Sequence, residues 1–276
     1  MNQHLQIRGV EYRVQVVGEG APLLLLHGFT GSSDVFEPFF AKWQSHFRCI
    51  VPDLLGHGMT DAPSDPKRYT MAETVADLAE ILDVLAVSEV SVLGYSMGGR
   101  IALGFALEKR ARVHRLVLEG ASPGLHTASE QQKRQMADEA LAKTICEGGV
   151  ASFVQAWEEI PLFASQKRLP DAVFARQRRI RLAQRKEGLA ASLVGMGTGR
   201  QPSYWSALTT FDVPTLLITG ELDSKFTNLN ANMAERMAAA QHVVMADAGH
   251  TPHLEQPAAF EQLAYDFLLD SIERAT

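Results

Sequence analysis

The sequence predicts an α/β fold: a mostly parallel sheet with helices on both faces and an inserted helical cap. Three observations carry that prediction. Short apolar runs alternate with helical patterns along most of the chain, the signature of a parallel sheet covered on both sides. One of these runs passes directly into a helix through Gly94-Tyr95-Ser96-Met97-Gly98. Between Glu119 and Thr215 the alternation stops, and helical patterns continue without a clear strand.

Taken in order, Leu5–Arg8 and Tyr12–Val17 form an expected N-terminal hairpin. Strands are expected near Leu23–His27, Cys49–Asp53, Val90–Leu93, Arg115–Glu119, Thr215–Thr219 and His242–Met245. Thr70-Met71-Ala72-Glu73 is a capping-box signature, and the helix it opens places Met71, Val75, Leu78, Leu82 and Leu85 at helical spacing. Pro257–Ile272 is expected to be a closing helix. The 276 residues suit one core domain of 1–120 and 212–276, with 121–211 inserted as a helical cap.

A hydrophobic content of 46% permits a sizeable core, and a net charge of −6 argues against a nucleic-acid partner. No apolar run approaches the ~20 residues needed to span a membrane. The first ten residues contain no apolar core of a secretory signal. Cys49 and Cys146 sit in unrelated contexts, which suits a reducing compartment, so a cytoplasmic location is expected. Charge is unevenly spread. Residues 126–206 carry 12 Lys and Arg against 8 Asp and Glu, although the whole chain is acidic. A basic cap over an acidic body would draw anionic substrates, while most of Arg176, Arg178, Arg179, Arg181, Arg185 and Lys186 fit the solvated face of a helix.

The Ser96 turn follows Val90-Ser91-Val92-Leu93 and precedes a helix-like run from Arg100 to Leu107. A strand that turns abruptly into a helix holds such a serine in a strained conformation, and Gly94, Gly98 and Gly99 relieve the crowding. The hydroxyl then stands above the sheet edge, at the positive end of the helix dipole. Alone, this pentapeptide also fits an idle serine on a glycine-rich turn. Asp223, in Gly220-Glu221-Leu222-Asp223, and His250, in Ala248-Gly249-His250, each follow an expected strand, in the chain order serine, acid, histidine. His27-Gly28-Phe29-Thr30-Gly31 is a turn whose backbone N–H groups can face an oxyanion. The rival histidines His27 and His57 precede Ser96 and fit loop structure, and His253 lacks a place directly after Gly249. Arg100 lies one helical turn beyond Ser96, where its guanidinium suits a planar carboxylate. A structural ion pair with a nearby acid is the alternative.

These features resemble the α/β-hydrolase-fold superfamily over nearly the whole chain, and Asp53-Leu54-Leu55-Gly56-His57-Gly58 is a further match. The α/β-hydrolase fold is therefore the expected architecture. Further phrases narrow the resemblance: Gly94 to Arg100, Leu118-Glu119-Gly120-Ala121-Ser122-Pro123-Gly124-Leu125, Trp157-Glu158-Glu159-Ile160-Pro161-Leu162-Phe163, Met196-Gly197-Thr198-Gly199, and Gly220 to Phe226. In this series the chain is similar to the 2-succinyl-6-hydroxy-2,4-cyclohexadiene-1-carboxylate synthase family of menaquinone biosynthesis. The resemblance implies a lyase that removes pyruvate from a small tricarboxylate, with neither cofactor nor metal. It carries over Ser96, Asp223 and His250 as the triad and the Phe29 and Met97 N–H groups as the oxyanion hole. Arg100, Arg134 and Arg181 would grip carboxylates. Tyr95 and Trp157 would line the pocket, although Trp157 also fits ordinary packing. The rival class is a carboxylester or carbon–carbon bond hydrolase with Ser96 as covalent nucleophile.

Overall fold

Leu23, Leu24, Leu25 and Leu26 are all fully buried, as a strand at the centre of a sheet covered on both faces must be. The computed structural model describes residues 2–273. Its eight strands are β1 (Asn2–Ile7), β2 (Val10–Val17), β3 (Ala21–Leu26), β4 (Phe47–Pro52), β5 (Val90–Tyr95), β6 (Val113–Glu119), β7 (Thr215–Gly220) and β8 (Ala240–Met245). They lie in the order β1-β2-β4-β3-β5-β6-β7-β8. The β1–β2 and β2–β4 pairs are antiparallel, and the remaining pairs are parallel.

Period-two alternation divides the sheet between two cores. Leu24, Leu26, Ile50, Val92, Leu116, Leu118 and Leu217 share one cluster with Val75, Leu78, Ile101 and Phe105. Leu23, Leu25, Val51, Leu93, Val117, Leu216 and Ile218 share the other with Trp43, Phe47 and Phe260. The helices over these faces include α1 (Phe40–Trp43), α2 (Met71–Val84) and α3 (Met97–Glu108). Thr70 caps α2 by accepting from the Glu73 N–H at 3.4 Å.

The strands differ from the expected bounds by a few residues. Arg8 leaves β1 for a turn at φ 48°, beside Gly9 at φ 83°, because a tight hairpin needs left-handed residues. His27 and Asp53 fall just past their strands, and Tyr95 belongs to β5.

Between β6 and β7 the chain is helical: α4 (Ala128–Glu158), α5 (Asp171–Leu182) and α6 (Lys186–Met196). Thr127 and Glu130 form a capping box at the start of α4, and Gly149, at φ 76° and ψ 169°, interrupts that helix. Ile145, Phe153 and Val154 of α4 pack with Leu189 and Leu193 of α6. The chain then returns to the sheet and adds α7 (Ser224–Ala234), α8 (Pro252–Glu255) and α9 (Pro257–Glu273). Among the described residues, no helix is long and apolar enough to cross a membrane.

Strand order reverses at β3, which has β4 on one side and β5 on the other. Loops leaving the C-terminal ends of β3 and β5 therefore open a crevice between them. Ser96 stands there.

Candidate active site

Ser96 adopts φ 50° and ψ −105°, a strained conformation for a residue with a side chain. Close packing holds it. Its N–H donates to the Glu119 carbonyl at 2.7 Å, and its own carbonyl accepts from the Arg100 N–H at 3.0 Å. A Cβ on Gly98 would fall 2.1 Å from the Leu26 carbonyl oxygen, so strand and helix can approach this closely only with glycine there. The helix start leaves the Met97 amide without an intrahelical acceptor. Phe29 and Met97 border the same cavity as Ser96.

His250 lies between serine and acid. Its Nε2 is 3.0 Å from Ser96 Oγ, and its Nδ1 is 2.7 Å from Asp223 Oδ2. A carboxylate can only accept, so Nδ1 carries the proton and Nε2 is left to accept from the serine hydroxyl. Asp223 also caps α7, its Oδ1 accepting from the Phe226 N–H at 3.2 Å, which sets its direction. The rings of Phe226, Tyr95 and Phe163 surround the imidazole, with centroids 4.5, 5.6 and 6.2 Å away. Three residues, from the turn after β5, the loop after β7 and the loop after β8, thus form one hydrogen-bonded chain.

The adjoining cavity has a volume of about 300 Å³ and reaches from Ser96 to the helices between β6 and β7. Arg100 lines it. The guanidinium donates to the Met196 carbonyl at 2.8 Å and to Gln201 Oε1 at 3.3 Å, and it has no carboxylate partner among the described residues. Burial, reinforced by the charge of Arg134, lowers its pKa to about 10. Of the alternatives left by the sequence, the ion pair is therefore not the one formed. Arg134 also borders the cavity, with its Nε 2.8 Å from Asp138 Oδ1.

Tyr95 and Trp157 line the cavity too. Burial raises the Tyr95 phenol well above its usual pKa, so the hydroxyl stays protonated. Trp157 packs edge-on to Phe29 and Phe163, and its buried Nε1–H has no acceptor among the described residues.

Arg181 is placed elsewhere, against the expectation of a carboxylate grip. It is fully buried and absent from the cavity wall; Nη1 donates to Glu158 Oε1 at 3.1 Å and Nη2 to Gln166 Oε1 at 2.9 Å. Arg178 bonds the same glutamate. Glu158, itself buried at the end of α4, needs these cations. The Arg181 guanidinium lies over the ring of Phe163, which lines the cavity, at 5.2 Å.

The other histidines serve the loops. His27 joins the Gly28 carbonyl to the Leu54 amide, and His57 bonds the Leu55 carbonyl. His253 forms a buried pair with Glu119, Nδ1 lying 2.8 and 2.9 Å from the two carboxylate oxygens. Sequence reasoning missed this pair, although an acid ending a parallel strand was a usable signal. It also missed Lys225 and His126, both on the cavity wall. Among the described residues, no group of three or more His, Cys, Asp or Glu side chains is placed to hold a metal.

An elbow serine, an acid and a histidine, placed after the parallel strands β5, β7 and β8, define an α/β hydrolase in architecture. The chain belongs to that family: the alpha/beta hydrolase fold model matches residues 21–257. Within it, the chain is 46% identical to a Bacillus subtilis (strain 168) protein whose name assigns it provisionally as a 2-succinyl-6-hydroxy-2,4-cyclohexadiene-1-carboxylate synthase. That match covers 94% of this chain and 95% of the relative. The synthase of that name from Klebsiella pneumoniae (strain 342) is 32% identical over 86% of this chain and 89% of its own. The solved structure of MenH from S. aureus superposes with a TM-score of 0.89 at 32% identity, covering 94% of this chain and 98% of that one.

Proposed function

We propose that the protein is a carbon–oxygen lyase of menaquinone biosynthesis. It eliminates pyruvate from 2-succinyl-5-enolpyruvyl-6-hydroxy-3-cyclohexene-1-carboxylate to give 2-succinyl-6-hydroxy-2,4-cyclohexadiene-1-carboxylate. Whole-length similarity to synthases of that name supports this reading. The observation that carries it is Arg100, a half-buried guanidinium with no ion pair among the described residues, on the wall of the cavity that holds Ser96. An anionic substrate supplies the missing charge, and a plain esterase pocket has no need of it.

His250, oriented by Asp223, takes the Ser96 proton and leaves the serine oxygen as the base. That oxygen removes the ring proton α to the succinyl ketone. The Phe29 and Met97 amides stabilise the enolate that forms, at the positive end of α3. The electron pair returns through the ring double bond and breaks the carbon–oxygen bond to the enolpyruvyl group, which leaves as pyruvate enolate; the proton held on His250 is released to balance its protonation to pyruvate, and the triad is restored. Arg100 and Arg134 bind carboxylates, and Tyr95 and Trp157 donate or pack against the ligand. Arg181 is left out of this set, since Glu158 and Gln166 hold it.

Residues 121–211 act as the cap over a core of 1–120 and 212–276. The two cysteines are free, in keeping with a cytoplasmic enzyme. The test is pyruvate release from the enolpyruvyl substrate compared with hydrolysis of a simple aryl ester, with intact-protein mass spectrometry during a single turnover. Pyruvate should appear without an adduct on Ser96. A substrate-derived adduct that forms and decays at the turnover rate would replace the lyase with a covalent hydrolase.

A further inference from the structure

Lys225 is two residues beyond Asp223, in the first turn of α7, and borders the same cavity as Ser96. Its ammonium has no ion pair or hydrogen bond among the described residues. It lies over the ring of Phe226 at 5.3 Å, and that ring packs 4.5 Å from His250. No acidic residue occupies the first turn of α7. A cation near a helix N-terminus opposes the helix dipole, so the position does nothing for the helix itself.

The charges also leave a gap to fill. The substrate carries three carboxylates: on the ring, on the enolpyruvyl group and on the succinyl chain. Arg181 is taken by Glu158, and Arg100 and Arg134 stand close enough for the second to lower the pKa of the first. Those two form one cationic cluster, supplied by α3 and α4. Lys225 comes from α7, on the side of the cavity that carries the histidine loop.

We propose that Lys225 is a third carboxylate-binding residue, which selects tricarboxylates by taking the anionic group that Arg100 and Arg134 leave unpaired. This rests on the synthase reading above. An exposed, hydrated ammonium on a flexible stem acts as a point charge, so its effect falls on capture and binding more than on the proton transfer.

The test is steady-state pyruvate release by the wild type, Lys225→Met and Lys225→Arg over a range of ionic strength, with melting temperatures. Lys225→Met should raise KM roughly 10-fold, the scale of one charge-assisted contact, with a much smaller change in kcat. It should also weaken the salt dependence of kcat/KM, and Lys225→Arg should recover most of both effects. Its melting temperature should not fall. Wild-type KM and salt dependence in Lys225→Met would overturn the inference, as would a loss confined to kcat or one that follows a lowered melting temperature. A wild type that releases no pyruvate would remove the synthase reading and this inference with it; an active wild type with an indifferent Lys225→Met overturns the inference alone.

Discussion

Two acid–histidine pairs stand just beyond neighbouring strands, and only one of them adjoins the cavity. His250 has Asp223 on Nδ1 and the Ser96 hydroxyl on Nε2. His253 has both oxygens of Glu119 at its Nδ1, and Glu119 accepts from the His253 amide as well, at 2.9 Å. The side chains of the second pair are 1% and 0% exposed, and neither residue borders the cavity. It ties the end of β6 to α8, close beneath Tyr95, whose ring lies 4.7 Å from His253. An acid beside a histidine is therefore an arrangement this fold uses for bracing as well as for chemistry. What separates the two is the third partner: a hydroxyl held on a strained turn at the wall of a 300 Å³ space.

The sharpest way to break that distinction is to disable each pair in turn. Ser96→Ala, His250→Ala and Asp223→Asn should each lower kcat about 10²–10⁴-fold, and combined changes should add little, because the three act as one unit. Near-normal turnover by a folded His250→Ala protein would sink the assignment. Glu119→Gln should act on stability instead. Removing one partner of a buried pair costs about 3–5 kcal/mol, seen as a lower urea midpoint, while folded molecules keep most of their turnover. A Glu119→Gln protein with wild-type stability and a kcat as low as that of Asp223→Asn would erase the difference between the pairs.

The arginines extend the same contrast. Arg100→Ala should cost about 2–5 kcal/mol in kcat/KM with little change in melting temperature, since no carboxylate in the described residues is ion-paired with it. Arg181→Met should do the reverse, lowering stability by leaving Glu158 short of a partner, with KM nearly unchanged.

A histidine with no acid partner sharpens the comparison from the other side. Burial, with the neighbouring His27, lowers the His57 pKa from 6.5 to about 3. Below about pH 6.5 the unfolded chain binds a proton that the folded ring refuses. Stability is therefore present above that pH and is lost on acidification, by about 1.4 kcal/mol per pH unit until about pH 3. Urea midpoints from pH 7.5 to 4.5 should show this slope, and His57→Gln should flatten it.

Ser96, Asp223 and His250 were legible because each depends on a short stretch: a glycine-flanked turn, or a polar residue just past an apolar run. Arg181 was not. It sits in a basic stretch with Arg176, Arg178 and Arg179, and helical spacing alone does not say which of them turns inward. Glu158, 23 residues earlier on α4, decides that. Glu119 was quoted as part of a motif, yet its partner lies 134 residues away on α8.

By itself, the sequence determined the strands, the elbow and the three residues that the fold joins in one hydrogen-bonded chain. Apolar periodicity and steric crowding at glycines act over a few residues, and the chain cannot evade them. Only the tertiary structure decided which charges are matched. Arginine, lysine and glutamate side chains are long enough to accept several partners, and the partner is whichever group folding brings near from a distant element. Hence Arg181 is spent on Glu158, while Arg100 and Lys225 form no ion pair among the described residues, on the wall of the cavity that contains Ser96.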